Sequence, residues 1–386
     1  MRWTVTENSD VWCPGLSIDD LPDKMPPNIH VMKNNGKISI LSENVAGILP
    51  CKNGNEIIIQ SKYNAINPIE LLLYINGISS ITVNRYRIQV GKANVSLQTI
   101  ADAFVDQLLL IKSNSKKFRR IPQTNESEAF IGHIDWLRTM RKQNSGNFNK
   151  VVSTVYTASY DIPENNIIAA AAQKVIQLYK PGDEAFDVLY IWTKIAERYH
   201  HSYNDLFKCQ QRLNERTLSG AHAFYYPSIM LAKMILGFTQ AGIQEEENNT
   251  ILFNMPGLYE EYIRTGFQRT GSKYGYSILK GFIPRSFLFF SGECEIIPDI
   301  TVYKGSSVKA LLDVKYKTPD SKDYYQIFTY MKYAKLDNAF IVSPSVEHEK
   351  TITAYDGSKI TLLNVDSSSP DLLSSVTDDF LSNKLA

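Results

Sequence analysis

Three charged residues in the last third of the chain could act together on a phosphate ester. Asp299 follows Pro298 in one apolar run, and Asp313 and Lys315 lie in the next one. Two carboxylates held close together repel each other and lose hydration unless a cation lies between them, and such hard oxygen ligands suit Mg²⁺. A metal held there could polarise a phosphate and activate water. We therefore predict a magnesium site that contains Asp299 and Asp313, with Lys315 beside it.

The segment around these residues has the pattern of a β-hairpin. Its two β-type runs are Ile296–Tyr303 and Val308–Tyr316, and the turn-forming segment Lys304–Ser307 joins them. Side chains alternate between the two faces of a strand, so Asp313 and Lys315 share one face of the second strand. The hairpin would thus bring two carboxylates and an ammonium group together.

The spacing between the two aspartates leads to a further expectation. An even-membered turn centred between Gly305 and Ser306 places Asp299 opposite Leu312, and Asp299 then points away from Asp313. An odd loop or a β-bulge would bring both acids onto one face, and bulges are common beside active sites. We therefore expect an irregularity in this hairpin.

A helix is predicted directly before the hairpin. Asn254 is a good N-cap and Pro256 suits the first turn. Apolar residues after Pro256 form a stripe on one face of this helix. At 100° per residue, Glu260 lies closer to that stripe than Glu261 does. Glu260 is therefore the acid expected to border a cleft, and Glu261 is expected to face solvent.

A second helix and a strand are predicted after the hairpin. Asp323–Lys335 has helical periodicity, and Gln326 and Tyr330 share one face because they are four residues apart. These two side chains could contact a substrate, or Tyr330 could pack under the sheet with Gln326 exposed. Ala339–Val342 is typical of a buried strand. Helix, hairpin, helix and strand in this order would cover a mixed sheet on both sides.

The whole chain is predicted to be an α+β multidomain protein. We expect a β-rich domain over residues 1–95, a mainly helical middle region over 96–250, and an α/β domain with a mixed sheet over 251–386. The first domain is predicted to contain one helix and several strands. Their ranges are Pro68–Tyr74 for the helix and Ile29–Met32, Lys37–Leu41, Glu56–Ser61 and Ile81–Val90 for the strands.

Composition limits the classes of protein to consider. The 386 residues have a formal net charge of +1, so any affinity for DNA must come from local patches or from a partner. The four cysteines lack metal-binding spacing, and no secretion signal or membrane-spanning run is present, so we expect a cytoplasmic protein. The sequence also has no phosphate-loop motif for nucleotide binding.

Four segments in order resemble the PD-(D/E)XK nuclease superfamily, and within it the McrC-like subunits of McrBC-type modification-dependent restriction systems. The segments are LYEEYI (Leu258–Ile263), PDI (Pro298–Ile300), DVKYK (Asp313–Lys317) and YYQIFTY (Tyr324–Tyr330). The resemblance covers the last third of the chain well. The middle segment IGHIDWLRT is only loosely similar, since His133 stands where a basic residue is expected, and no role is assigned to it.

The resemblance implies a DNA endonuclease subunit with a set of roles for individual residues. Asp299, Asp313 and the Val314 carbonyl would hold Mg²⁺, and Glu260 would complete the site directly or through water. Lys315 would orient or help deprotonate the attacking water and stabilise charge on the phosphate. The implied DNA contacts are Gln326, Tyr330 and Lys317, although Lys317 is equally well interpreted as a surface lysine.

The resemblance also implies a partner. McrC-like subunits work with a McrB-like AAA+ GTPase ring that recognises modified cytosine in double-stranded DNA, and the N-terminal part of McrC-like chains contacts that ring. Two alternatives stay open. One is a stand-alone repair or phage-defence nuclease similar to the RecB-type group, and the other is a non-catalytic adaptor that activates a partner NTPase.

Overall fold

The structure is a computed structural model with an α+β architecture. It describes most of the chain, and the statements below concern the described residues alone. These are residues 2–23, 25–34, 36–52, 55–63, 66–75, 97–114, 116–178, 182–196, 205, 208–209, 211, 225–236, 251–289, 291–365 and 370–385. The predicted strand Ile81–Val90 lies outside them.

The strands fall into several sheets. In chain order they are β1 (Arg2–Thr6), β2 (Asp10–Trp12), β3 (Ile29–Asn34), β4 (Lys37–Ser42), β5 (Val45–Pro50), β6 (Glu56–Gln60), β7 (Arg119–Ser127), β8 (His133–Ile134), β9 (Val151–Ser159), β10 (Ile251–Asn254), β11 (Ser277–Leu279), β12 (Ile300–Lys304), β13 (Ser307–Val314), β14 (Asn338–Val342), β15 (Lys350–Thr353) and β16 (Lys359–Leu363).

The α-helices lie between these strands and at the C-terminal end. They are α1 (Pro68–Ile75), α2 (Leu97–Asn114), α3 (Trp136–Asn144), α4 (Pro163–Leu178), α5 (Asp183–Ala196), α6 (Tyr225–Ile235), α7 (Met255–Gly271), α8 (Ser321–Tyr333) and α9 (Pro370–Asp379). Within the described ranges, none of the helices combines the length and the apolar character needed to cross a membrane.

The chain forms two compact units. One comprises residues 1–99 and 239–386, and the other comprises residues 100–238. The first unit thus contains both segments for which separate N-terminal and C-terminal domains were predicted. The physical reason is visible in β10, which follows the middle region in sequence and pairs antiparallel with β5.

The predicted hairpin lies inside a six-stranded mixed sheet with the order β11-β12-β13-β14-β16-β15. Strand β13 is central, since it pairs antiparallel with β12 and parallel with β14. The hairpin's first strand begins at Ile300 rather than Ile296. Pro298 explains this difference, because proline has no backbone N–H to donate to a neighbouring strand.

Helices cover both faces of this sheet, as the order of elements predicted. Tyr259 and Ile263 of α7 belong to one buried cluster with Leu312 of β13. Leu311, which points to the opposite face, belongs to another cluster with Ile327 of α8. The sheet is therefore buried on both sides, as is usual where parallel strand pairing occurs.

The caps of these two helices agree with their sequences. The Asn254 side chain accepts a hydrogen bond from the Gly257 N–H at 3.1 Å at the start of α7. At the start of α8, the Asp320 side chain accepts from the Asp323 N–H at 3.3 Å, and Asp323 accepts from the Asp320 N–H at 2.9 Å. This reciprocal capping box fixes the first turn of α8 close to the end of β13.

The N-terminal part of the first unit is β-rich, as predicted. Its strands form a sheet of order β1-β6-β5-β10 and a smaller sheet of order β2-β4-β3. Helix α1 confirms the predicted helix. Its residues Leu71 and Tyr74 pack in the same buried cluster as Tyr262 of α7, so this part shares a core with the six-stranded sheet.

The middle unit contains strands as well as the predicted helices. Helices α4, α5 and α6 are present, but the long strand β7 pairs with β9, and β8 pairs with the other edge of β9. Strand β7 has the sequence RRIPQTNES, whose polar residues and proline give no strand pattern, so pairing with β9 determines its conformation.

Candidate functional site

The hairpin contains the irregularity that the spacing of the aspartates required. Tyr303 pairs with Val308, but Val302 pairs with Ala310, so the register shifts by one residue between them. Lys309 is the extra residue of this β-bulge. Beyond the bulge, Ile300 pairs with Leu312, and in the same register the residue directly before β12 therefore lies opposite the residue after Leu312. Those two residues are the aspartates, so the expectation of a bulge is confirmed.

Asp299 and Asp313 lie side by side in a poorly hydrated environment. Asp313 is only 1% exposed. Asp299 Oδ2 accepts a hydrogen bond from the Val314 N–H at 2.8 Å, which fixes its side chain against the end of β13. That N–H belongs to the residue directly after Asp313, so the two carboxyl groups are close neighbours at the end of β13.

This environment disfavours two negative charges. Burial, the charge of Asp313 and the charge of Glu260 raise the pKa of Asp299 to about 7. Burial also raises the pKa of Asp313, although the Lys315 ammonium opposes that effect. In the absence of a cation, the pair therefore resists full ionisation.

Lys315 lies beside the aspartates and links them to α8. Its Nζ is 2.8 Å from Asp313 Oδ2, donates to Gln326 Oε1 at 3.1 Å and lies 3.7 Å from Asp323 Oδ1. Burial opposes the charged form of Lys315, but the surrounding carboxylates outweigh this effect and raise its pKa. Lys315 is thus a positioned cation next to the aspartate pair.

Glu260 borders the site and is held by two cations. Its Oε1 accepts from an Arg264 guanidinium nitrogen at 2.7 Å and from Lys280 Nζ at 2.6 Å. Burial alone would raise the pKa of Glu260, but these two bonds outweigh it and lower the pKa. The same guanidinium group donates to the Asp299 carbonyl at 3.4 Å and also binds Glu261. Glu260 is therefore ionised and near Asp299, but it is engaged by cations.

The three residues expected to contact DNA lie next to this group. Gln326 donates to the Tyr330 hydroxyl at 2.8 Å, and Gln326 also accepts from Lys315, so the pair forms one chain of hydrogen bonds. Lys317 is bound to Asp320 at 2.7 Å and to Asp323 at 2.9 Å. Lys317 therefore helps to hold the capping box of α8, and its ammonium group is paired with two carboxylates.

The donor set fits a divalent cation in part. Two adjacent buried carboxylates with raised pKa values are what a bound cation would stabilise, and their oxygens suit Mg²⁺. Over the described ranges, however, no group of three or more His, Cys, Asp or Glu side chains is arranged to hold a metal ion. Asp299 and Asp313 are thus the side chains that could bind a metal directly.

The raised pKa of Asp299 predicts how a neutral side chain would alter stability. A carboxyl group with a higher pKa in the folded protein than in the unfolded chain destabilises the fold as pH rises through the interval between the two values. For Asp299 this interval runs from the ordinary 3.8 to about 7. We therefore expect Asp299→Asn, which retains an acceptor for the Val314 N–H, to raise the melting temperature of the metal-free protein at pH 8.

The same reasoning predicts that the increase in melting temperature caused by Asp299→Asn becomes smaller as pH falls and disappears near pH 4. Melting curves in a chelator across this range would measure it. Asp10→Asn, at an exposed position of β2, is the matched control and should change little. A lower melting temperature for Asp299→Asn at pH 8 would contradict the described repulsion.

Two features of the site were missed by the sequence analysis. Arg264 was detectable, since it is four residues after Glu260 on the same helix, where opposite charges pair. Lys280 was not, because it lies 20 residues further along the chain and only the fold brings it to the same carboxylate.

Comparisons with known proteins place the chain in a family. The profile of the McrBC 5-methylcytosine restriction system component matches residues 40–343. A chain of a refined half-complex from the tetradecameric assembly of Thermococcus gammatolerans McrB AAA+ hexamers with bound McrC has a similar fold. The TM-score is 0.63 and the sequence identity is 15%, over 97% of this chain and 100% of that chain.

A second similar chain comes from the McrBC complex of the same organism, with a TM-score of 0.49 and 12% identity over 70% of this chain and 88% of that one. Comparison with curated proteins gives no significant match. The family profile covers well over half of the 386 residues. The chain therefore belongs to the family of McrBC 5-methylcytosine restriction system components.

Proposed function

We propose that this chain is the DNA endonuclease subunit of a GTP-dependent, modified-cytosine-dependent restriction complex. The observation that supports this most directly is the convergence of Asp299, Asp313 and Lys315 at one end of β13, through a β-bulge that places both aspartates on one face. The mixed sheet covered by α7 and α8 supports our assignment of this part to the PD-(D/E)XK architecture. We place its activity in the cytoplasm, where restriction would act on DNA.

Hydrolysis of the phosphodiester bond would depend on charge held in fixed positions. Asp299, Asp313 and the Val314 carbonyl would hold Mg²⁺, with Glu260 acting through water because its oxygen is already bound by cations. A bound Mg²⁺ would polarise the scissile phosphate and lower the pKa of a water molecule. Lys315 would orient that water and stabilise the charge that develops on the phosphate.

The neighbouring residues on α8 would position the DNA backbone. Gln326 fixes Lys315 through its amide oxygen and binds Tyr330 through its amide nitrogen, so both side chains are held close to the proposed metal site. Lys317 is already bound to Asp320 and Asp323, so we assign it a smaller part in binding a DNA phosphate.

We further propose that the partner is a McrB-like AAA+ GTPase ring. The support is family membership together with the similar fold of a chain from a complex between McrB hexamers and bound McrC. The ring would supply GTP hydrolysis and recognition of modified cytosine in double-stranded DNA, and this chain would stimulate the ring and cleave the DNA.

This division of labour gives a direct test on the purified chain. It should neither bind nor hydrolyse GTP, because its sequence has no phosphate-loop motif. Addition of the chain to the partner ring should accelerate GTP hydrolysis and, with Mg²⁺ and modified DNA, produce double-strand cleavage. GTP turnover by the chain alone would contradict the proposal. Stimulated GTP hydrolysis without cleavage of any modified DNA would instead support a non-catalytic adaptor.

A further inference from the structure

The segment that directly follows strand β6 lies against the segment that directly follows β13. Ser61 Oγ and the Tyr316 hydroxyl are 2.6 Å apart, and the rings of Tyr63 and Tyr316 form an edge contact with centroids 5.1 Å apart. The Tyr316 hydroxyl also donates to Glu7 Oε2 at 3.1 Å. Residues far apart in sequence thus meet at Tyr316, which immediately follows Lys315 in the chain.

Lys62 is placed at this junction with its ammonium group above aromatic rings. Nζ lies 4.7 Å from the centroid of the Tyr316 ring and 5.4 Å from that of Tyr63. The backbone N–H of Lys62 donates to Glu7 Oε2 at 3.3 Å, which fixes the residue just beyond the end of β6. The rings restrict the side chain and attract its charge, and they leave its N–H groups available to an acceptor.

The ammonium group of Lys62 has no ion-pair partner within the described part of the chain. Burial lowers its pKa, and the positive charge of the nearby Lys317 lowers it further against the opposing effect of Glu7. Lys317 differs from Lys62, because two carboxylates of α8 neutralise it. Unlike Lys317, Lys62 therefore retains the capacity to bind an anion.

The anion that this position fits is a phosphate of a nucleic acid backbone. Lys62 lies over the ring of Tyr316, the residue between Lys315 and Lys317 in sequence, and it is close enough to Lys317 for the two charges to repel each other, so it is a near neighbour of the proposed site. Each phosphate bound by a lysine also releases condensed counterions, which favours binding at moderate salt. A phosphate beside Lys62 would in addition relieve its repulsion from Lys317.

We propose that Lys62, from the N-terminal part of the chain, binds a DNA phosphate that flanks the scissile one. This inference rests on the proposed nuclease function. It assigns the N-terminal part a second role besides the predicted contact with the ring, namely to hold the substrate strand next to Lys315. Lys62 is a positioning residue, and it does not take part in the chemical step.

Single-turnover cleavage of modified DNA by the reconstituted complex tests this inference. We expect Lys62→Ala to raise the complex concentration needed for half-maximal cleavage by about 5–10-fold near 0.1 M salt, and to leave the maximal rate within about twofold. A plot of the logarithm of the half-maximal concentration against the logarithm of the salt concentration should have a slope smaller by about 1, the change expected for the loss of one phosphate contact. Lys62→Arg should restore most of the wild-type behaviour, since it keeps the charge.

Lys37→Ala is the matched control, because Lys37 also lies above a ring, 4.9 Å from the centroid of Trp12, but in the smaller sheet. It should behave as wild type. An unchanged half-maximal concentration and salt dependence for Lys62→Ala would overturn the inference. So would a lower maximal rate and melting temperature with an unchanged salt dependence, which would indicate a structural role. Absence of cleavage by the wild-type complex would instead refute the proposed function itself.

Discussion

Replacement of Lys315 by alanine should lower the rate of DNA cleavage by the reconstituted complex by about 10²–10³-fold, the usual cost of removing one group that stabilises a developing oxyanion. The ammonium group is held by Asp313 and Gln326, so it is already oriented before substrate binds. Its loss removes stabilisation that matters most as charge builds on the phosphate. Single-turnover cleavage at saturating Mg²⁺ would measure the effect.

Lys317→Ala provides the control for charge alone. Lys317 lies two residues further along, but it is bound to Asp320 and Asp323 at the start of α8. Its replacement should weaken DNA binding modestly and leave the maximal rate close to that of the wild type. Cleavage by Lys315→Ala within about tenfold of the wild type would be incompatible with the role assigned to this lysine.

Asp313→Asn should lower the rate of DNA cleavage more than Lys315→Ala does, because it removes a negative charge that we assign to metal binding. The asparagine side chain nearly preserves the volume of the buried aspartate, so the fold should persist, and the repulsion from Asp299 in the metal-free protein should decrease. We expect the affinity of the full chain for Mn²⁺, used as a spectroscopic substitute for Mg²⁺, to fall below detection.

The matched control for this substitution is Asp356→Asn. Asp356 lies outside the hairpin and binds Lys332 at 2.5 Å near the other end of α8, so its charge is equal but distant from the proposed site. Metal binding by this variant should match that of the wild type. Undiminished Mn²⁺ binding by Asp313→Asn would show that the metal binds elsewhere in the chain.

The local geometry of the candidate site was largely predictable, because short-range rules determine it. The turn at Gly305 and the alternation along β13 give the hairpin, and counting residues from the turn showed that Asp299 and Asp313 needed an irregularity between the strands. Counting could not show which residue would be extra. Lys309 has no special sequence signal, and its bulge depends on how β13 pairs with its neighbours.

The parts that could not be predicted depend on contacts between residues distant in sequence. The division into three domains did not anticipate that β10 pairs with β5 or that Tyr74 packs in the same buried cluster as Tyr262 of α7. The aromatic setting of Lys62 depends on Tyr316, more than 250 residues away. Such contacts are selected by burial of apolar surface in the complete fold, for which a local pattern gives no signal.

The strand β7 illustrates the other limit. Its residues are mostly polar and include Pro122, so neither alternation nor strand propensity marks it. It nevertheless pairs with β9 along its whole length, from Arg119 opposite Ser159 to Ser127 opposite Val151. The prediction of a mainly helical middle region therefore did not include this strand.

The most direct test of the central claim compares two activities of the same two complexes. Wild-type chain and Asp313→Asn chain would each be assembled with the partner ring, and DNA cleavage and GTP hydrolysis would be measured on DNA with modified cytosine in Mg²⁺. Our account predicts cleavage by the wild-type complex, no detectable cleavage by the Asp313→Asn complex, and equal stimulation of GTP hydrolysis by both. Cleavage at the wild-type rate by the Asp313→Asn complex would contradict the assignment of the nuclease site to this chain.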